Sequence, residues 1–111
     1  MLAEDILQDA GFILNETYRE LRFLEPPGET YAVYIDTMTV RGPDDLNAIE
    51  FHETNIELYE YAPDPDAEAR IEAQLDAHGQ PYIKQARYWI SEEQLYQIIY
   101  EFNYTIKRKE F

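Results

Sequence analysis

The feature that most constrains this chain is its last strand. Tyr96, Ile98, Tyr100, Phe102, Tyr104 and Ile106 alternate with Gln97, Glu101, Asn103, Thr105 and Lys107, and only Leu95 and Ile99 break the pattern. Strict alternation over this length is the mark of a strand with one buried face. A half-buried strand needs antiparallel neighbours and a covering layer. The rest of the chain must supply both.

The other elements follow from spacing and punctuation. Leu2, Ile6 and Ala10, flanked by Ala3 and Leu7, form one apolar stripe on a short helix. Gly11 ends it as a left-handed C′ residue, with Phe12 as its apolar follower. Residues 13–24 fit two patterns: Thr17, Arg19, Leu21 and Phe23 alternate as in an edge strand, and Leu14, Tyr18 and Leu21 fit helical spacing; the extended segment is favoured, and Pro26-Pro27-Gly28 closes it. Tyr31 to Val40 is dense in β-branched and aromatic residues and reads as a strand. Gly42-Pro43-Asp44-Asp45 is a turn or longer loop. A second strand runs from about Ala48 to Tyr61. Its apolar residues are odd-numbered at Ile49 and Phe51 but even-numbered at Ile56 and Leu58, which predicts a β-bulge or twist near His52 to Asn55, or a change of buried face. Asp64 caps a second helix that has Pro65 at its first position, an inward stripe of Ala67, Ile71, Leu75 and His78, and Gly79 as its stop. Tyr82 to Ile90 reads as a further strand and Ser91-Glu92-Glu93 as a turn. The predicted architecture is α+β: a mainly antiparallel β-sheet with an N-terminal helix and a second helix packed on one face.

Composition narrows the function classes. In 111 residues there are 23 Asp and Glu against 9 Lys and Arg, a net charge of −14, together with ten tyrosines and no cysteine. Disulfides, thiolate metal sites and thiol nucleophiles are excluded. No apolar run approaches the roughly 20 residues that span a bilayer, and Met1-Leu2-Ala3-Glu4-Asp5 lacks the pattern of a signal peptide. The sequence is read as that of a soluble protein made in the cytoplasm, with no membrane partner. An acidic surface repels nucleic-acid phosphate. Its plain reading is a solvated, self-repelling surface; the sharper readings are a surface that DNA passes without sticking and one that imitates DNA.

Catalytic and metal constellations are not evident. The four glycines are scattered at turns and helix ends. His52-Glu53-Thr54-Asn55-Ile56 lacks the second histidine of a zincin and sits on a strand. His78 ends a helix, where it favours the dipole. Asp64 and Asp66 suit a helix start rather than a calcium loop. The expectation is no enzyme activity, no catalytic residues, no metal and no cofactor. The tyrosines suit packing and protein interfaces, and Tyr59 and Tyr61 are candidate interface residues. Lys107-Arg108-Lys109 is the one basic cluster, a candidate clasp onto the acidic body of a neighbouring copy.

The ordered set Tyr31-Ala32-Val33-Tyr34-Ile35, Asn55-Ile56-Glu57-Leu58-Tyr59, Leu75-Asp76-Ala77-His78-Gly79, Trp89-Ile90 and Glu93-Gln94-Leu95-Tyr96-Gln97-Ile98-Ile99-Tyr100-Glu101-Phe102 resembles the tail terminator, or tail completion, proteins of long-tailed bacteriophages and prophages. It covers most of residues 31–102; residues 12–30 match poorly. The resemblance implies that residues 1–111 form a single domain of this kind. It implies a structural virion protein at the head-proximal end of the tail, assembled in the host cytoplasm. Copies would form a ring, typically a hexamer, that caps the tail tube protein and meets the head connector protein, while DNA passes through the lumen without specific binding. No catalytic residue or cofactor comes with the family. The alternative from another class is an acidic DNA mimic that inhibits a nucleic-acid enzyme.

Overall fold

The computed structural model describes residues 1–42 and 49–108. Two helices and six strands follow in the order α1 (Leu2–Asp9), β1 (Tyr18–Glu20), β2 (Tyr31–Arg41), β3 (Ile49–Glu60), α2 (Pro65–Ala77), β4 (Ile83–Lys84), β5 (Tyr88–Ile90) and β6 (Leu95–Lys107). The strands form one sheet in the order β1-β2-β3-β6-β4, with β5 also paired to β6. Among the described strands the three-residue β1–β2 pairing is the parallel one, joined by an isolated parallel bridge between Leu14 and Tyr18. The fold is α+β, as the sequence predicts.

Both helices end as their glycines dictate. After α1, Gly11 takes φ 95° and Phe12 N–H reaches back to the Leu7 carbonyl at 2.9 Å, the Schellman bond. A Cβ on Gly11 would also meet Arg70 Nη1 at 2.9 Å. That guanidinium donates to the Ala10 carbonyl at 2.6 Å and lies over the Phe12 ring, so α2 grips the end of α1. At the other end of α2, Asp64 accepts from Ala67 N–H at 3.1 Å and from the Thr30 hydroxyl at 2.7 Å. The cap thereby ties the helix to the chain entering β2.

The even-numbered residues of β2, β3 and β6 face the helices. Ala32, Tyr34, Ile56, Leu58, Ile98, Tyr100 and Phe102 meet Ile6, Leu7, Ile71 and Leu75 in one core, sealed by Tyr18. Among the described residues, the odd-numbered face carries no helix. At its proximal end Phe23, Tyr31 and Tyr59 pack together, with ring centroids 5.4 and 5.1 Å apart.

Several sequence expectations are corrected. There is no bulge near His52: β3 runs in unbroken register with β2 from Ile49 to Tyr59 and with β6 from Ile49 to Glu60. Its buried face is even-numbered throughout, because His52 and Thr54 occupy positions an apolar residue would normally take, while Ile49 and Phe51 are exposed. Tyr82 to Ile90 is two short exposed strands rather than one. His78 is not inward but exposed at the C-cap of α2. In residues 13–24 only Tyr18–Glu20 is a strand, and its buried residue is Tyr18 rather than the predicted phase, leaving Leu21 exposed. The turn placed at Pro43-Asp44-Asp45 lies outside the described residues.

The helices cover only part of the sheet. The molecule measures 50 × 28 × 24 Å, and the distal halves of β2, β3 and β6 project as a three-stranded blade. Phe102 is 6% exposed and Tyr104 still packs partly against the core, whereas Ile106 on the same face of the blade is 46% exposed. In urea melts Phe102→Ala should lower stability by about 3–5 kcal/mol and Ile106→Ala by less than about 0.5 kcal/mol. Equal losses would show that the core extends to the tip.

Candidate functional site

Three groupings of polar residues stand out, and each follows from strand register. The first lies at the base of the blade. Asp36, His52 and Thr54 occupy adjacent positions on the helix-side face. One His52 ring nitrogen, Nδ1, lies 2.8 Å from Asp36 Oδ2, and the other, Nε2, lies 2.9 Å from Glu50 Oε1. The Thr54 hydroxyl donates to the second Asp36 oxygen at 2.6 Å. The ring stacks on Tyr104 with centroids 4.5 Å apart and planes 2° from parallel. Burial opposes charge on the imidazole, but the hydrogen bonds and charges of Glu50 and Asp36 outweigh it and raise its pKa. Carboxylates on both nitrogens favour the imidazolium form, in which the ring donates twice. It has no free nitrogen with which to act as a base or bind a metal.

The second grouping joins β3, α2 and the β4–β5 segment. Glu60 is fully buried. Arg87 donates through Nε to Glu60 at 3.2 Å and through Nη2 to Glu68 at 2.5 Å. Lys84 bridges Glu68 at 3.0 Å and Glu72 at 2.7 Å, and Tyr100 donates its hydroxyl to Glu72 at 2.8 Å. Burial and the adjacent Glu68 carboxylate push the Glu60 carboxyl up to about 7, against the pull of Arg87. Glu60 Oε2 is buried and receives no donor. A buried carboxylate oxygen without a donor disfavours the charged form, in the same direction as the raised pKa. The cluster clamps a segment with little apolar contact onto the sheet. Glu60 itself is sealed from solvent, so it offers no surface to a substrate.

The third is the blade surface. Met38, Ile49, Phe51 and Ile106 are 47%, 37%, 40% and 46% exposed. Ile49 and Phe51 lie on the open face, and Met38 and Ile106 on the helix side. A shallow groove of about 410 Å³ lies beside the blade between β6 and the start of β4, lined by Glu53, Asn55, Tyr82, Ile83, Glu101 and Asn103 among others. Among the described residues, no group of three or more His, Asp or Glu is placed to hold a metal ion, and no helix is long and apolar enough to cross a membrane.

The sequence-predicted interface residues do not form one site. Tyr59 stacks on Tyr31, donates its hydroxyl to Glu57 at 2.8 Å and accepts from Gln97 at 2.9 Å. It is occupied within its own chain. Tyr61 is 45% exposed, with its hydroxyl on the Pro27 carbonyl. Lys107 and Arg108 are at the opposite end of the sheet, since Lys107 pairs with Ile49 and Gln97 with Tyr59. Ten strand residues separate the two ends, roughly 34 Å. Arg108 is bonded to Glu50 at 2.8 Å, so it belongs in part to the His52 network. Lys109 lies outside the described residues. Sequence reasoning missed Asp36, Glu50 and Thr54 as partners of His52, and the Glu60 cluster entirely. The available signal was the polar residues at core-phase positions of β3.

These networks set a pH dependence. The folded state holds the Glu60 proton up to about pH 7, whereas an ordinary glutamate releases it near 4.5, so stability falls as pH rises between those values. The raised His52 pKa adds a further loss as pH climbs above its ordinary 6.5. Glu50 and Glu68 are held low, so their contribution is lost as pH falls below 4.5. The melting temperature should therefore peak near about pH 5 and decline toward about pH 8. Glu60→Gln should abolish the decline between about pH 5 and 7 while keeping the part above it. An unchanged profile in that variant would show that Glu60 is already ionised in the folded protein. Comparison of the chain with family models, curated protein sequences and solved structures gives no match.

Proposed function

We propose that this chain is a structural assembly subunit of the tail-terminator kind. Copies join into a ring that caps a phage tail tube and offers a docking face to the head connector, without catalysis and without a cofactor. The observation that carries the reading is the blade: a three-stranded extension that exposes apolar side chains on both faces while the core behind it is complete. A lone domain gains nothing from exposing Phe51 and Ile106 in this way, and a subunit completed by neighbours does. The open face, with Glu53, Glu57 and Glu101 interleaved with Asn55, Asn103 and threonines, suits a lumen that repels phosphate.

The DNA-mimic alternative draws on the net charge of −14 and the elongated shape. Against it, Asp36, Glu50, Glu60, Glu68 and Glu72 are occupied by cations, a histidine or hydroxyl donors within the chain, and so do not form a displayed row of charges.

Light scattering and negative-stain microscopy on the purified protein, alone and with tail tubes, test the reading. The expected particle is an annulus of about six times 13.2 kDa, the copy number typical of such rings, which halts tube growth when added to polymerising tube protein. A monomer that never associates with itself or with tubes, and that competes with duplex DNA for a nucleic-acid enzyme, would replace this reading with the mimic.

A further inference from the structure

Beyond Tyr34, β2 has no outer neighbour among the described residues, and beyond Asn103 neither has β6. The direction of their free backbone groups can be read from the bonds nearby. The Ala32 N–H and the Tyr34 carbonyl both bond toward the β1 side. Backbone groups alternate along a strand, so the even-numbered residues of β2, including Met38 and Val40, present N–H and C=O at the open edge. On β6 the Ile99 carbonyl accepts from Gln85 N–H and the Asn103 carbonyl from the Gln80 side chain. Its outward residues are therefore odd-numbered and include Thr105 and Lys107.

These two edges fit each other. Both strands are antiparallel to β3, so they run the same way. In a parallel pair, a residue that bonds outward lies opposite one that does not, and opposed residues share a face. Even-numbered β2 residues and odd-numbered β6 residues meet that requirement with no bulge. Met38 and Val40 would lie beside Tyr104 and Ile106 of the next copy, and Thr37 and Thr39 beside Asn103 and Thr105. Apolar then meets apolar on one face and hydroxyl or amide on the other. A level register, or one shifted by an even number of residues, preserves this.

Neither edge is blunted as edges usually are. There is no proline or bulge, and the only charged side chains between Thr37 and Arg41 or between Asn103 and Lys107 are Arg41 and Lys107 at the tip. We propose that the bare β2 edge around Met38 and Val40 of one copy pairs in parallel with the bare β6 edge around Thr105 of a second copy, so that the sheet continues from subunit to subunit. A two-fold pair would cover one edge of each copy and leave the other bare. Head-to-tail addition covers both, and only when the series closes. This inference rests on the ring reading and specifies which surfaces make the ring.

The test uses proline at positions whose N–H points outward, where it removes the junction's donor and spares the β2–β3 and β3–β6 ladders. Val40→Pro and Thr105→Pro are purified separately, and mass is measured by light scattering well above the concentration at which the parent assembles. Each alone should be monomeric, with a melting temperature close to the parent's. A one-to-one mixture should stop at a heterodimer, because only one good β2 edge and one good β6 edge remain. Thr39→Pro, whose N–H points inward, should melt far lower. If an outward proline unfolds the chain, Met38→Pro and Lys107→Pro take its place. A Val40→Pro protein that dimerises by itself, a mixture that stays monomeric, or two variants that still reach the parent's size would each overturn the edge pairing and leave the ring reading standing. A parent that is monomeric at every concentration overturns both.

Discussion

Everything in this molecule hangs on the double pairing of β3. Along its length β3 is bonded to β2 on one side and β6 on the other with no interruption. That register sets which residues face the helices, and a slip of one residue would invert every one of them. It also carries the blade beyond the helices, where the apolar layer thins out toward the exposed Ile106. The Asp36–His52–Glu50 network takes over there: buried charge with every partner in place fixes a register at positions where packing alone would not. The stacked Tyr104 ring and the Arg108 contact extend the same network across β6 to the chain's C-terminal end.

Much of the fold was legible because local signals agreed with the tertiary outcome. The alternation in β6, the Asp64-Pro65 start of α2 and the two glycine stops state their structures outright. The misreadings share a cause: a polar residue at a core position, or an apolar one outside it. His52 and Thr54 made β3 look phase-shifted, since hydrophobicity cannot reveal that a histidine is buried between two carboxylates. Residues 82–90 look like a strand by composition. They are held instead by Arg87 and Lys84 on Glu60, Glu68 and Glu72, contacts that no periodicity encodes. His78 fits the helical stripe by spacing, but α2 has already run past the core when it reaches that turn. The predicted interface tyrosines suffered the same ambiguity, because Tyr59 satisfies its ring and hydroxyl at home.

The charge distribution has its own order. Arg70, Lys84, Arg87 and Arg108 all serve internal contacts, so these four of the nine cations act as rivets, and the 23 acids outnumber the cations that remain. Charge of this kind is felt over about a Debye length, roughly 8–10 Å at ordinary ionic strength. Hydrogen bonds between strands act only at contact.

Strand edges with few charges, such as residues 37–40 of β2, are the sort of surface on which amyloid-like stacking begins. In solution, copies meet one another at random orientations. Mutual repulsion between acidic bodies makes most of those collisions unproductive and gives the sticky edges a waiting time. The excess of carboxylates thus acts on the chain's solubility as a rate effect, strongest at low salt and weakened as added ions screen it.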